Sequence, residues 1–346
     1  MSILPRNACI ACIVLILFNA PLSARAEEQE RLVWPFGPAQ PRVEFVKTFS
    51  RPADLGINKG FFERLKDFIF GETDARIVKP MAVATSGGIL YVADPGAGGV
   101  HRFDSASGDY TLIAAGDDAR LPSPVGLARG AAGEIYVTDS KLAQVFVIRP
   151  GAKVAEPLHL GVKLSQPTGI AFDTASGRLY VADTAEHCVQ IFERDGSLAG
   201  SIGRRGTGDG EFNYPTYLWR TPQGRLYVTD SLNFRVQIFD ERGQFAGKVG
   251  RLGDGSGDAA RPKGVATDRY GHVYVVDALF HAFQIFDGDG RLLLPVGERG
   301  QAHGEFWLPT GIFIDQDSGD GGGDTIYIAD SYNQRIQVLR YIGGAT

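Results

Sequence analysis

Six aspartates recur at the end of one short phrase: Asp94, Asp139, Asp183, Asp230, Asp277 and Asp330, each three residues after a tyrosine (Tyr91, Tyr136, Tyr180, Tyr227, Tyr274 and Tyr327). A carboxylate can serve as acid, base or nucleophile, but paired-carboxylate chemistry needs two of them to converge. Each of these aspartates instead closes an apolar phrase and precedes a turn, where its side chain can accept backbone N–H groups. The expectation is a structural role, with the repeat spreading the carboxylates around a ring.

The remaining chemistry-bearing residues are scattered. His101, His159, His187, His272, His281 and His303 fall in outer-strand or linker positions, from which three cannot easily meet on a zinc ion, and no metal site is expected. Asp315, Asp317, Asp320 and Asp324 alternate with small residues as calcium-loop ligands do, yet no bidentate glutamate ends the run, which reads as a solvated hairpin extension. Gly203 to Gly210 has the glycine density of a phosphate cradle, but no helix follows it to supply the dipole, so it reads as a connector. Cys188 stands where two other repeats carry Arg235 and Arg335, with no base near it in sequence, and reads as an inert thiol. Nucleophile elbows, paired acids and cofactor motifs are all missing, and no cofactor is expected.

One break in the repeat does suggest a site. Each repeat has a proline and, two residues later in four of the six, a glycine: Gly126, Gly169, Gly264 and Gly311. The fourth repeat replaces that glycine with Tyr217, in Tyr217-Leu218-Trp219, and the fifth places Lys263 directly after its proline. Thr168, Thr216, Tyr217, Lys263 and Thr310 are therefore expected to form a polar pocket at the mouth of a central channel. It would suit an anionic or hydroxyl-bearing ligand, with Lys263 as charge partner.

What must position these residues is a repeated set of strands. The aspartates are 45, 44, 47, 47 and 53 residues apart, a spacing that signals propeller blades. Each repeat offers an inner strand that enters at a proline (Pro80, Pro124, Pro167, Pro215, Pro262, Pro309), where no ladder donor is needed. The tyrosine strand follows, then an alternating strand such as Val236-Gln237-Ile238-Phe239, then a fourth strand after a glycine turn. Four strands make one blade, and the fold class is all-β, a six-bladed β-propeller. The sixth repeat runs out of chain before its outer strand. Residues 43 to 49 alternate as an outer strand should, so they are expected to close the last blade and remove its open edge. One short helical insertion is expected over Lys59 to Phe70, with Asn58 as N-cap and Gly71 as stop, packed as a lid on the propeller.

The organisation expected is a signal peptide over 1–26, a closing strand and helix over 27–79, and the propeller over 80–346. Arg6, the apolar run from Ile10 to Phe18 and Ala24-Arg25-Ala26 occur in the order of an export signal, which implies a periplasmic or extracellular protein. Cleavage would leave Cys188 as the single cysteine, so stability must come from burial and strand pairing. The formal net charge of −5, made two units more negative by loss of Arg6 and Arg25, disfavours nucleic acid as a partner. Membrane contact would need an uncleaved signal or the 59–70 helix, and a monomer is expected.

The phrases Pro-Thr-Gly-Ile, Leu-Tyr-Val-Ala-Asp and Asn-x-Arg-Val-Gln-Ile-Phe, with the Gly-x-Gly-x-Gly-Glu-Phe linker, resemble NHL repeats throughout residues 80 to 342. The closest copies are 215–250 and 309–339. The resemblance implies the six-bladed propeller and, for function, only a range: ligase and RNA-binding partners, a peptidyl-hydroxyglycine lyase, and exported bacterial proteins. The lyase implies zinc ligands just after the inner-strand prolines. Here that position holds Met81, Val125, Thr168, Thr216, Lys263 and Thr310, none of them histidine. The expected function is thus a binding or scaffolding propeller that engages a protein or small ligand through its channel mouth or blade-connecting loops. The alternative is a propeller enzyme, a lyase or a lactone or ester hydrolase, working at the same mouth.

Overall fold

The computed structural model describes residues 31–36, 39–40, 42–58, 75–116, 120–317 and 323–343. The expected signal segment, the 59–70 helix and the middle of the 315–324 insertion lie outside them. Six antiparallel sheets follow one another along the chain. Blade one comprises Ala82–Ser86, Ile89–Asp94, Gly99–Asp104 and Asp109–Ile113, and blade two Pro124–Arg129, Ile135–Asp139, Gln144–Ile148 and the two-residue Glu156–Pro157. Blade three is Pro167–Phe172, Leu179–Asp183, Cys188–Phe192 and Leu198–Ile202. Blade four is Pro215–Arg220, Leu226–Asp230, Arg235–Phe239 and Phe245–Val249, and blade five Pro262–Thr267, Val273–Asp277, Ala282–Phe286 and Leu292–Val296. Blade six contributes Ile312–Asp315, Thr325–Asp330 and Arg335–Tyr341. Each inner strand packs against the inner strand of the next blade, and the sixth against the first, which makes the fold a closed six-bladed β-propeller.

Closure uses the strand expected for it. Val43–Phe49 pairs antiparallel with Arg335–Tyr341, Val43 opposite Tyr341 and Phe49 opposite Ile336. A further strand that the sequence did not suggest, Val33–Trp34, adds outside it, giving blade six five strands. The signal there is two residues long, too short for a period to register. Trp34 is buried, its ring standing where a side chain on Gly304 would have to go.

Burial between blades carries the core. The linker phenylalanines Phe212 and Phe306 are fully buried, and each lies over a left-handed glycine, Gly203 (φ +87°) and Gly297 (φ +95°). Only glycine combines that φ with room for the ring: a Cβ on Gly203 would sit 2.2 Å from the Phe212 ring. Burial of one such side chain contributes roughly 1.5–3 kcal/mol. The same linker is pinned from the next strand, because Arg235 donates to the carbonyls of Gly208 (2.6 Å) and Glu211 (3.0 Å), while Gly208 N–H donates to Glu211. Its polar groups serve the connector itself.

Candidate functional site

The propeller has two ends. At the proline face the inner strands begin, each in blades two to five with its proline opposite the aspartate that closes the second strand, as Pro167 faces Asp183. At the hairpin face the inner strands turn back into the second strands. All six repeat aspartates are buried at the proline face. Asp94 accepts the N–H groups of Val78, Lys79 and Ala97, and Asp277 those of Ala260, Arg261, Leu279 and Phe280. Burial opposes the ionised form of Asp94, but His101 and these N–H donors outweigh it and hold the carboxyl below its usual range. Asp230 and Asp330 accept, besides one N–H, the side chains of Arg235 with Gln237 and Arg335 with Gln337.

The residues singled out at the channel mouth line up as a ring at this face, and most of their polar groups join one blade to the next. The Thr168 carbonyl accepts from the Thr138 hydroxyl, and the Thr216 carbonyl from the Thr168 hydroxyl (3.0 Å). The Lys263 carbonyl accepts from Thr229 (2.7 Å), and the Thr310 carbonyl from Gly264 N–H (2.9 Å). Thr310 then donates to the Pro80 carbonyl (3.0 Å), which carries the ring into blade one. Thr168 also shares a hydrogen bond with Thr184, and Thr216 one with Ser231, both at 2.6 Å. Tyr217 reaches past blade five toward Thr310, and burial pushes its hydroxyl far above its ordinary pKa.

Lys263 differs from its neighbours. No hydrogen bond or ion pair to its ammonium occurs among the described residues. Burial first, then the nearby Arg261, lowers its pKa, with Asp277 opposing. It is half-buried, because the closing ring packs around its stem. Around this ring stand large apolar side chains open to solvent: Leu142, Leu232, Leu279 and Tyr332 on the loops after the second strands, and Tyr214 ahead of Pro215.

The glycines after the ring residues serve the contact between blades. A Cβ on Gly169 would lie 2.5 Å from the Thr216 carbonyl oxygen and 2.8 Å from the Tyr217 Cα, and one on Gly264 would lie 2.8 Å from the Thr310 carbonyl oxygen. Glycine is there so that the backbones of adjacent blades can touch.

Above Tyr217 a cavity of about 230 Å³ opens toward the hairpin face. Its walls include Leu127, Ile170, Phe172, Trp219, Ile312 and Phe313, and its lip Arg129, Thr174, Gln316 and Asp317. Trp219 is fixed by its indole N–H donating to the Thr267 hydroxyl (2.9 Å) and by edge contact with Phe313. Sequence reasoning named Tyr217 and Trp219 but missed this space, since its walls come from all six blades.

Other candidates are committed elsewhere. His101 lies between Tyr110 (2.9 Å) and Asp94 (3.2 Å), and His272 bonds Asp268 (2.6 Å). His187 and His281 each accept a backbone N–H, from Tyr214 and Leu308. Asp324 is fully buried and paired with Arg269, and Asp315 accepts from Thr85 (2.7 Å). Among the described residues no three His, Cys, Asp or Glu side chains gather as a metal site would require. Cys188 is buried, and desolvation, with Asp183 and Glu186 beside it, raises its thiol to about 11. No helix among the described residues is long and apolar enough to cross a membrane.

Known proteins match this chain in fold. A family described as NHL repeat matches residues 164–192, and one described as a 6-bladed beta-propeller matches 217–283. No curated protein matches the sequence significantly. Among solved structures, an auxiliary nutrient binding protein from Bacteroides thetaiotaomicron superposes with a TM-score of 0.61 at 13% identity, covering 78% of this chain and 71% of that one. Virginiamycin B lyase from Staphylococcus aureus gives 0.55 at 15% identity over 77% of this chain and 96% of that one. A gluconolactonase from Xanthomonas campestris gives 0.56 at 18% identity over 78% and 90%. Binding proteins and enzymes thus share this scaffold, and at these identities the likeness concerns the fold alone. With the repeat, the ring of blades and these matches together, the chain is a six-bladed β-propeller with an NHL repeat recognised over residues 164–192.

Proposed function

We propose that the protein is a non-catalytic binding propeller of an exported compartment, which takes an anionic or hydroxyl-bearing ligand, free or displayed on a partner protein, at its proline face. The observation that carries this is Lys263. The threonine hydroxyls beside it bind other blades or their own, whereas its desolvated ammonium makes no hydrogen bond or ion pair among the described residues, the nearby Asp277 accepting backbone N–H groups instead. A half-buried cation without a directly paired carboxylate costs stability in the free protein, and an arriving anion relieves that cost. The exposed Leu142, Tyr214, Leu232, Leu279 and Tyr332 surround it with apolar contact area.

Thermal melts of the wild type and Lys263→Ala, with and without citrate, inorganic phosphate and galacturonate, test the reading. At least one of these anions should raise the wild-type Tm by mass action and leave the variant unmoved. The variant keeps the backbone carbonyl that Thr229 binds, so its own Tm should equal or exceed that of the wild type. A sharp loss of Tm in Lys263→Ala, with anion stabilisation retained, would make the lysine architectural and defeat the proposal. The pH dependence has a definite sign. Because the lysine's pKa is depressed, anion stabilisation should fade as pH rises through a value below that of an ordinary lysine.

A further inference from the structure

Arg129 ends the inner strand of blade two, and Asp317 follows the inner strand of blade six, yet they form an ion pair at 3.1 Å. The first blade stands between them, so the pair crosses the opening of the channel at the hairpin face. Both groups are open to solvent, their side chains 41% and 73% exposed. Exposed pairs of this kind contribute about 0–1 kcal/mol, so the partner of Arg129 is exchangeable. Beneath it the cavity changes character. Phe172, Trp219 and Phe313 present aromatic surface, and the buried guanidinium of Arg220 is already paired with Asp173 at 2.8 Å. The floor is Tyr217, whose neutral hydroxyl is engaged by Thr310.

We propose that this cavity is a second binding site, separate from the proline face, for a small ligand with a flat apolar body and one carboxylate. The ring system lies against Trp219 and Phe313, and the carboxylate takes the place of Asp317 on Arg129. A volume of about 230 Å³ suits one or two fused rings and excludes a polymer chain. The occupant carries a single negative charge because, among the described residues, the lip offers one exchangeable cation, Arg129, and the walls only the paired Arg220.

The probe is 1-naphthoate, with neutral 1-naphthylmethanol as its control. The chain has three tryptophans, so replacing Trp34 and Trp307 by Phe leaves Trp219 as the reporter. Naphthoate should quench Trp219 saturably and bind more tightly than the alcohol. Arg129→Ala should weaken naphthoate about tenfold, the loss of one charge-assisted hydrogen bond, and leave the alcohol unaffected. Asp317→Asn should tighten naphthoate binding, since the competing carboxylate is gone. Both substitutions are at solvent-exposed side chains and preserve the fold. Lys263→Ala, at the other face behind Tyr217, should change nothing. Unquenched Trp219, equal affinity for acid and alcohol, indifference to Arg129→Ala, unchanged or weaker binding by Asp317→Asn, or dependence on Lys263 would each overturn the assignment.

Discussion

Tyr217 of blade four reaches across to Thr310 of blade six although an entire blade separates them in the ring. One side chain thus closes the channel that the other inner strands leave to glycine or alanine. Tyr217→Phe should keep the plug and lose only the hydroxyl's interaction with Thr310, lowering stability by about 1 kcal/mol or less. Tyr217→Ala should remove the plug and cost about 3–5 kcal/mol as an unfilled cavity. Chemical denaturation of both variants separates the two roles, and equal losses would mean that the hydroxyl, not the ring, is what the fold needs.

Adjacent blades meet backbone to backbone at Gly169, so Gly169→Ala should destabilise the protein by about 1–3 kcal/mol through overpacking against Thr216 and Tyr217. Gly200 on the outer strand of blade three has nothing within 4 Å of the corresponding position. Gly200→Ala should be neutral or slightly stabilising, because it only narrows the unfolded ensemble. Calorimetric melts of the pair give the comparison, and a mild Gly169→Ala would show that the blades can slide apart.

Asp173 and Arg220 join blades three and four as a pair with side chains 8% and 5% exposed, Arg220 also lying 4.5 Å over the Tyr180 ring. Burial raises the Asp173 pKa, but Arg220 outweighs it and the net direction is down. A depressed carboxyl contributes stability that is present above its unfolded value of about 3.9 and disappears as pH falls through the lower folded value. Asp173→Asn should lose about 3–5 kcal/mol at neutral pH by stranding a buried guanidinium. Its stability should also fall less steeply than that of the wild type below about pH 4. Urea titrations across pH 2.5 to 7 read both effects.

The architecture was legible because the cues that specify a blade are local. Tyr-x-x-Asp in all six repeats, a proline fourteen to sixteen residues earlier in five of them and a glycine-phenylalanine linker ahead of two each act within one repeat, and repetition averages out any single departure. The aspartates could be assigned to a structural role because each accepts backbone N–H groups from its own repeat, from the turn that follows it, as for Asp94 and Asp277, or from the segment ahead of the inner strand, as for Asp183 and Asp230. The site was less legible. The reason for Gly169 lies in the Thr216 carbonyl of the next blade, and the burial of Lys263 in the ring packed around it, neither of which a single repeat displays. Arg129 and Asp317 meet only after the propeller closes, and no pattern within a repeat connects them. Val33–Trp34 escaped because two residues carry no period.

The bond from the Thr48 hydroxyl to the Ile336 carbonyl spans 288 residues. Val43–Phe49 leaves the ribosome early with only Val33–Trp34 to pair with, and its other edge waits for Arg335–Tyr341 through the synthesis of nearly the whole propeller. During that interval this edge stays unsatisfied, and the pairing that seals the ring is among the most distant in sequence that the described residues make. Closure is therefore tied to the synthesis of Arg335–Tyr341, and the open edges are a hazard for aggregation until the two strands meet.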